Sequence, residues 1–250
     1  MKDYRAEILS DEQIAQGVYE LVLRLPEEVK VRAGQFASVG VRGHLLRRPF
    51  AICKAEGERI SLCFQVRGEG TRNLSSMGAG ESLQVLMPLG NGFFVERDEK
   101  RVALVGGGVG IFPMIAALRE YAPAKEVFAY IGFRNKEAVC GLEEFERAAR
   151  LKAVTDDGSY GEKKNAVQAF EEDLRAGIRP DVVLSCGPLP MLRALKEVLE
   201  REKLPGFASL EERMGCGIGA CLVCVCDLTD GQHARVCKDG PVFPIGDVVL

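Results

Sequence analysis

Hydrophobic residues recur in short runs over the first hundred positions, and charged residues, Gly and Pro separate these runs. The runs predict β-strands, and one short helical stretch over 71–77 interrupts them. Several short strands at regular spacing are typical of an antiparallel barrel. The predicted strands cover 4–9, 18–25, 35–41, 50–54, 59–66 and 82–86.

The pattern changes after a charged linker at 98–100. From there compact apolar strands alternate with segments of helical periodicity, which predicts a mostly parallel α/β sheet. The predicted strands cover 101–105, 126–131, 152–154 and 181–185, and the predicted helices cover 111–121, 142–149, 166–176 and 191–203. We therefore expect a barrel domain over 1–97, an α/β domain over 98–208 and a C-terminal segment over 209–250.

The C-terminal segment contains four cysteines in the pattern C-x4-C-x2-C-x12-C, namely Cys216, Cys221, Cys224 and Cys237. This spacing is typical of plant-type [2Fe–2S] sites, in which four thiolates hold two irons. Glycines alternate with the first cysteines, and they let the backbone curl so that N–H groups point at the sulfurs. The pattern predicts a metal centre that transfers single electrons.

Other interpretations of these cysteines fit less well. A structural zinc site normally has two CxxC-like pairs, whereas Cys237 stands alone. Disulfides need an oxidising compartment, and a Rieske centre needs two histidines near the cluster. Only His233 is nearby, and we expect it to be a polar hairpin residue. Cys226 could replace Cys224 as a ligand, but the spacing already accounts for three positions, so we interpret it as a thiol packed beside the site.

A glycine-rich turn follows the first strand of the α/β half and opens a helix. It contains Gly106, Gly107, Gly108 and Gly110. Glycines there let the backbone approach a pyrophosphate, and the helix start offers unpaired N–H groups. A plain tight turn is the alternative, because the spacing is not the strict dinucleotide fingerprint.

The barrel half contains two weaker candidates for phosphate contacts. Gly70 and Thr71 lie where a short helix is expected to begin. Arg47 and Arg48 precede Pro49, and arginine makes bidentate contacts to phosphate. A solvated basic turn before a strand is the competing interpretation of the arginine pair.

Composition limits the possible partners. The net charge is −3 and no basic stripe is present, so nucleic acid is not an expected partner. No apolar run approaches transmembrane length, and the first residues lack the apolar region of a signal peptide. Nine cysteines in free or cluster roles fit a reducing compartment, so we expect a cytoplasmic protein with no membrane contact.

Taken in order, these motifs resemble the ferredoxin–NADP reductase superfamily and, within it, the electron-transfer subunits of dihydroorotate dehydrogenase B. The resemblance covers essentially the whole chain. Its pieces are the motifs at 47–50, 68–71, 88–93, 106–110, 155–161, 186–188 and 209–214, the last running into the cysteine loop. The segment at 209–214 is the most diagnostic piece.

The resemblance implies cofactors and the residues that hold them. The FAD site would comprise Arg48, Pro49, Phe50, Ala51, Phe64, Gln65, Gly70 and Thr71. NAD would meet Gly106, Gly107, Gly108 and Gly110, with Cys186 near the nicotinamide. The four loop cysteines would ligate a [2Fe–2S] cluster. Two positions depart from the family: Ala51 stands where Ser is usual, and Gln65 stands where a basic residue is frequent.

The resemblance also implies a partner, an FMN-containing catalytic subunit that oxidises dihydroorotate to orotate in pyrimidine (UMP) biosynthesis, in a heterotetramer with two copies of each chain. Electrons would pass through FMN, the cluster and FAD to NAD, and no catalytic residue is expected here.

A related subunit of a hydrogenase or an NAD(P)H:ferredoxin oxidoreductase would use the same cofactors. A zinc-stabilised nucleotide-binding module is the alternative from another class. The sequence does not distinguish NAD from NADP as the nucleotide, since Arg134 and Lys136 could meet a 2′-phosphate.

Overall fold

In the computed structural model, which describes residues 1–250, the N-terminal strands close into an antiparallel barrel in the order β1-β2-β5-β4-β3-β6. Its elements are β1 (Lys2–Ala15), β2 (Val18–Arg24), β3 (Phe36–Val39), β4 (Arg48–Glu56), β5 (Arg59–Gln65), helix α1 (Glu69–Leu74) and β6 (Ser82–Leu89). Along β1, Tyr4, Ala6 and Ile8 are buried while Asp3 and Arg5 are exposed, as the pleat of a half-buried strand requires. The predicted barrel is confirmed.

Helix α1 begins two residues earlier than the sequence suggested. The Thr71 hydroxyl accepts hydrogen bonds from the backbone N–H groups of Arg67 and Gly68, which draws the chain into a turn before the helix. At the other end, the hydroxyls of Ser75 and Ser76 donate to carbonyl oxygens three residues back. Such local side-chain bonds compete with the helical pattern, so the helix stops at Leu74 rather than at 77.

The second half of the chain forms a seven-stranded sheet with the order β10-β9-β8-β7-β11-β12-β15. Six strands are parallel, and β15 is antiparallel to β12. The elements are β7 (Arg101–Gly107), α2 (Ile111–Tyr121), β8 (Glu126–Phe133), α3 (Leu142–Ala148), β9 (Arg150–Thr155), β10 (Glu162–Lys163), α4 (Ala166–Arg175), β11 (Val182–Cys186), α5 (Leu189–Glu202), β12 (Gly206–Ser209), β13 (Val225–Asp227), β14 (His233–Arg235) and β15 (Val242–Pro244). Strands β13 and β14 form a separate two-stranded sheet. The predicted parallel α/β sheet is confirmed.

Strands β12 and β15 are absent from the sequence prediction because each is too short to show a period. They have a structural consequence, since β15 comes from the cysteine-containing segment and pairs Val242 with Ser209 of β12. The C-terminal segment is therefore part of the α/β sheet. None of the helices combines the length and the hydropathy needed to cross a membrane.

Helix α2 lies between the sheet and the barrel. Seven of its eleven residues are buried, including Ile111, Phe112 and Ile115, so it is apolar on most of its circumference. The same hydrophobic cluster contains Cys53 and Cys63 of the barrel and strand residues of the sheet. The start of α2, where the glycine-rich turn ends, is thereby directed to the junction of barrel and sheet.

Asn91, just after β6, ties the barrel to the cysteine-containing segment. Its side-chain amide donates to the carbonyl oxygens of Val242 (2.7 Å) and Asp239 (3.2 Å), and its carbonyl accepts from the Val242 N–H (3.0 Å). These three bonds connect the end of the barrel with Asp239 and with the first residue of β15.

We expect Asn91→Ala to lower the free energy of unfolding by about 2 kcal/mol, because several backbone groups lose their partner at once. Urea unfolding followed by circular dichroism measures this change. Asn73→Ala, which removes the bond between the exposed Asn73 side chain and the His44 ring, serves as control and is expected to change stability by less than about 0.5 kcal/mol. Equal effects of the two substitutions would contradict the role assigned to Asn91.

Candidate functional site

The four predicted cluster cysteines come together in one loop region, where they form two pairs. The thiols of Cys216 and Cys221 are within hydrogen-bonding range of each other, and so are those of Cys224 and Cys237. Cys224 and Cys237 are each 2% exposed, whereas Cys221 is at the surface. No group of three or more His, Cys, Asp or Glu side chains is arranged to hold a single metal ion.

Backbone N–H groups point at these sulfurs. Ile218 and Ala220 donate to the Cys216 sulfur at 3.4 and 3.3 Å, and Gly219 donates to the Cys237 sulfur at 3.1 Å. The N–H groups of Cys216 and Cys237 donate to the sulfurs of Cys221 and Cys224, both at 3.4 Å. All four sulfurs therefore accept a backbone hydrogen bond.

These donors have an electrostatic effect. The N–H of Ile218, together with further backbone donors, lowers the pKa of the Cys216 thiol to about 6, because the bonds favour the thiolate. Burial raises the pKa of Cys237 to about 12, so iron binding there has to displace a proton. Paired sulfurs with backbone donors fit a two-iron cluster held by two thiolates per iron, and such a cluster transfers single electrons when bound.

Neither His233 nor Cys226 belongs to the two sulfur pairs, although Cys226 packs against the hydrophobic cluster that contains Cys224 and Cys237. His233 is on β14, where its Nδ1 is 2.7 Å from Asp227 of β13 and its side chain is 68% exposed. Cys226 is on β13 and lines the cavity on the side of the glycine-rich turn.

Six of the eight predicted FAD residues converge from three elements, whereas Arg48 and Gly70 do not line the same cavity. Pro49, Phe50 and Ala51 are on β4, Phe64 and Gln65 end β5, and Thr71 is in α1; all line one cavity of about 260 Å³. The Phe64 ring is buried in the barrel, where it stacks on Tyr19 with ring centres 5.8 Å apart.

The two neighbouring arginines of the Arg-Arg-Pro motif have different environments. Arg47 makes a bidentate ion pair with Asp3 at 2.7 and 2.8 Å, which joins the segment before β4 to strand β1. Arg48 has no carboxylate partner, and its guanidinium lies against Gly70, where a β-carbon would come within 2.5 Å of it. The Arg48 guanidinium donates to the Leu46 carbonyl oxygen and lies 3.4 Å from the His44 ring, but no carboxylate neutralises its charge. A positive charge without an ion pair fits a phosphate-binding role for Arg48, which leaves Arg47 with a structural one.

The glycine-rich turn meets the loop that follows β11. A β-carbon on Gly110 would lie 2.3 Å from the Cys186 carbonyl oxygen and 2.7 Å from the Gly187 nitrogen, so only glycine allows the two backbones to touch. Gly108 has φ +55°, a conformation that favours glycine. Strands β7 and β11 are adjacent, and strand order reverses between them, which is where ligands bind in open α/β sheets.

Cys186 occupies the wall between the two halves. It ends β11 and lines the same cavity as Ala51 and Phe112. Its thiol is buried, and burial raises its pKa far above the usual range, so it is neutral. The residue can pack against a ligand, and it is not a nucleophile.

A larger cavity of about 840 Å³ extends from the glycine-rich turn. Gly107, Gly108 and Gly110 line it, and six residues line both it and the 260 Å³ cavity, so the two spaces adjoin. The shared residues are Gln65, Arg67, Val109, Leu210, Glu211 and Glu212. Two ligands bound in the two cavities would meet near Val109.

Sequence reasoning missed two arginines of the larger cavity. Arg67 lines both cavities, and its Nε donates to the Gln65 side chain at 3.0 Å, so the positive charge absent at Gln65 is supplied two residues later. Arg193 of α5 lines the larger cavity together with Arg134. Lys136 is not among the lining residues, and the turn at 155–161 lines neither cavity.

One aromatic residue connects the cavity with the cysteine loop. Phe36 of β3 is 4% exposed, lines the 260 Å³ cavity and packs in one hydrophobic cluster with Cys224 and Cys237. Met214, two residues before Cys216, lines the same cavity. A flavin in this cavity and a cluster in the loop would be separated by roughly one layer of side chains.

A six-stranded antiparallel barrel, a parallel sheet with a glycine-rich turn and a four-cysteine loop together define a ferredoxin-reductase-like electron-transfer protein. Residues 211–249 match the family model of the iron–sulfur cluster binding domain of dihydroorotate dehydrogenase B. The chain is 39% identical to a dihydroorotate dehydrogenase B (NAD(+)) electron transfer subunit from Caldanaerobacter subterraneus subsp. tengcongensis, covering 98% of both chains. It is also 39% identical to the Bacillus cereus (strain Q1) subunit of that name, covering 97% of both.

Among solved structures, an NADH-dependent reduced ferredoxin–NADP oxidoreductase superposes with a TM-score of 0.87 at 26% identity, covering 98% of this chain and 89% of that one. The chain belongs to the family of dihydroorotate dehydrogenase B electron-transfer subunits. The resemblance found in the sequence is confirmed.

We expect Cys221→Ser to lose the cluster while FAD stays bound and NADH still reduces a dye, because the loop and the larger cavity are separate sites. Iron, acid-labile sulfide and flavin content measure this, together with dye reduction by NADH. Cys226→Ser is the matched control and should keep its iron. Loss of dye reduction with FAD still bound would show that the two sites cannot be separated.

We expect Gly110→Ala to raise the KM for NADH at least about tenfold, because the new β-carbon forces the turn away from the 186–188 loop. Steady-state dye reduction measures the KM, and the FAD content should be unchanged. Gly78→Ala, at a position where a β-carbon meets nothing within 4 Å, is the control. An unchanged KM in the folded Gly110 variant would contradict the assignment of the turn to the nucleotide.

Proposed function

We propose that this chain passes electrons between a catalytic dihydroorotate dehydrogenase subunit and NAD, through a [2Fe–2S] cluster and FAD, in pyrimidine (UMP) biosynthesis. The observation that carries the proposal is the position of Phe36, which separates the cavity assigned to FAD from the buried pair Cys224 and Cys237. Single electrons can cross such a distance, whereas a hydride needs direct contact between its donor and acceptor. The arrangement therefore suits a flavin that exchanges two electrons with NAD as a hydride and single electrons with the cluster.

The residues have distinct tasks in this proposal. Arg48, Gly70 and Thr71 hold the FAD pyrophosphate, while the β4 and β5 residues line the rest of the flavin. The glycine-rich turn holds the NAD phosphates at the start of α2. Glu211 and Glu212 line both cavities and belong to the segment that leads into the cysteine loop. We assign no catalytic residue to the chain, because the cofactors carry the redox chemistry and the protein supplies position and electrostatics.

The family name implies a catalytic partner subunit, and the surface near the cluster suits a docking partner. Cys221 is exposed, and it is flanked by the apolar side chains of Ile218, Leu222 and Val223, which are 43%, 62% and 56% exposed. An exposed apolar patch beside an electron-transfer site is suited to a protein partner. We propose that the partner contains FMN, that two copies of each chain assemble, and that the complex is cytoplasmic.

The proposal also includes the boundaries of the three units. We assign residues 1–97 to the FAD domain, 98–208 to the NAD domain and 209–250 to the cluster segment. Strand β12 ends at Ser209 and pairs with β15, so the second and third units share a sheet.

A second candidate keeps the cofactors and changes the partner. The structural similarity to an NADH-dependent reduced ferredoxin–NADP oxidoreductase favours it, with a TM-score of 0.87. Affinity purification from the native cell under anaerobic conditions separates the two. A copurifying flavoprotein that oxidises dihydroorotate supports our proposal, and a copurifying ferredoxin-linked oxidoreductase or hydrogenase supports the alternative.

We expect the purified chain alone to oxidise NADH with a dye and to leave dihydroorotate unoxidised with the same dye, because it has a single flavin cavity. Adding the catalytic subunit should give dihydroorotate-dependent NAD reduction, which absorbance at the NADH band follows. Anaerobic preparations with no iron or acid-labile sulfide, or substantial dihydroorotate oxidation by the chain alone, would overturn the proposal.

A further inference from the structure

Two elements link the sites assigned to FAD and NAD, and each carries a charged group at its far end. Strand β4 begins with the flavin residues Arg48 to Ala51 and ends near Lys54 and Glu56. Helix α2 begins at the glycine-rich turn and reaches Arg119 in its last turn. The charged ends lie about 10 Å along the strand from Ala51 and about 13 Å along the helix from Gly110.

These ends are joined by one ion network centred on Glu144 of α3. The Glu144 carboxylate accepts from Arg119 at 3.1 and 3.3 Å and is 3.6 Å from Lys54. Arg119 also bonds Glu56 of the barrel, and Lys54 is 3.3 Å from Glu20. Lys54–Glu144 and Arg119–Glu56 are the only ion pairs in the structure that join barrel and α/β residues.

Solvent-accessible clefts flank this network. A cavity of about 480 Å³ lies on one side, lined by Cys53, Ile115 and Glu144, and one of about 630 Å³ lies on the other, lined by Ala55 and Arg119. Apolar contact between β4 and α2 is therefore incomplete beside the ion pairs. Hydrophobic burial is non-directional and tolerates sliding, whereas shared hydrogen-bonded ion pairs fix a relative position.

An isolated exposed ion pair would have little effect. Glu144 differs, since its side chain is 26% exposed and it is shared by two cations from different halves of the molecule. The adjacent residue Glu120 strengthens the same junction by accepting the Ala33 N–H at 2.7 Å.

We propose that Glu144 and Arg119 are positioning residues that set the distance between the FAD and NAD sites by locking α2 onto β4. The inference rests on the proposed function, because it concerns hydride transfer between the two bound cofactors. A displacement of about 1 Å between reacting groups can lower a rate about a hundredfold. The network thus controls the rate of transfer, and the glycine-rich turn and Arg48 control affinity.

The test uses the full chain with its cofactors and the variants Glu144→Gln, Arg119→Met and Arg119→Lys. In anaerobic stopped-flow mixing with saturating NADH, we expect the limiting rate constant of FAD reduction to fall about tenfold or more in Glu144→Gln and Arg119→Met. The KM for NADH should stay within about twofold, and Arg119→Lys should recover most of the rate because it keeps the charge. Hydrogen exchange should accelerate at the Ala33 amide and along α2.

The matched control is Glu171→Gln. Glu171 is 20% exposed and also contacts two arginines, Arg175 and Arg201, but it is remote from the junction. The inference is overturned if folded, FAD-loaded Glu144→Gln reduces FAD at the wild-type rate, or if Glu171→Gln loses the same rate. A wild-type chain whose FAD is not reduced by NADH would instead refute the proposed function, and the inference with it.

Discussion

Burial of α2 between the barrel and the sheet is the contact on which the arrangement of the sites depends. The helix is apolar on most of its surface, so it has to lie where water is excluded on two sides. This position directs its first turn, and the glycine-rich loop before it, toward the end of the barrel where β4 and β5 line the smaller cavity. A helix with a single apolar face would cover the sheet and leave the barrel unattached. The two cavities adjoin because the hydrophobic cluster that contains α2 also includes barrel residues such as Cys53 and Cys63.

The cysteine segment is attached by different forces. Few of its backbone groups belong to regular structure, so its carbonyl and N–H groups need other partners. Asn91 provides some of them from the barrel, β12 provides others through its pairing with β15, and the sulfurs accept several N–H groups. Burial of Cys224 and Cys237 against Phe36 adds apolar contact. One pair of sulfurs thus packs against Phe36, which lines the smaller cavity, and the other pair is nearer the surface.

Residues of one type take opposite roles according to their surroundings. Arg47 is neutralised by Asp3, while its neighbour Arg48 has no carboxylate partner and faces Gly70. Likewise, backbone donors lower the pKa of Cys216, and burial raises that of Cys186, so one thiol is prepared to bind iron and the other is inert. The two arginines differ because of contacts with residues that are distant along the chain, whereas the donors to Cys216 lie within four residues of it.

The sequence by itself determined the class of each half and predicted which cysteines would hold a cluster. The change from short strands to alternating strands and helices is a local pattern. The cysteine spacing is fixed along the chain and does not depend on tertiary packing. Gly106 to Gly110 were also recognisable, because a strand and a helix flank them. Tertiary structure alone decided that Arg67 replaces the charge missing at Gln65, that β15 joins the α/β sheet, and that Glu144 connects α2 with β4. The partners in the last two cases are far apart in sequence, and no local pattern records a contact that only the folded chain creates. The bond between Arg67 and Gln65 is local, but the cavity that both residues line exists only in the folded chain.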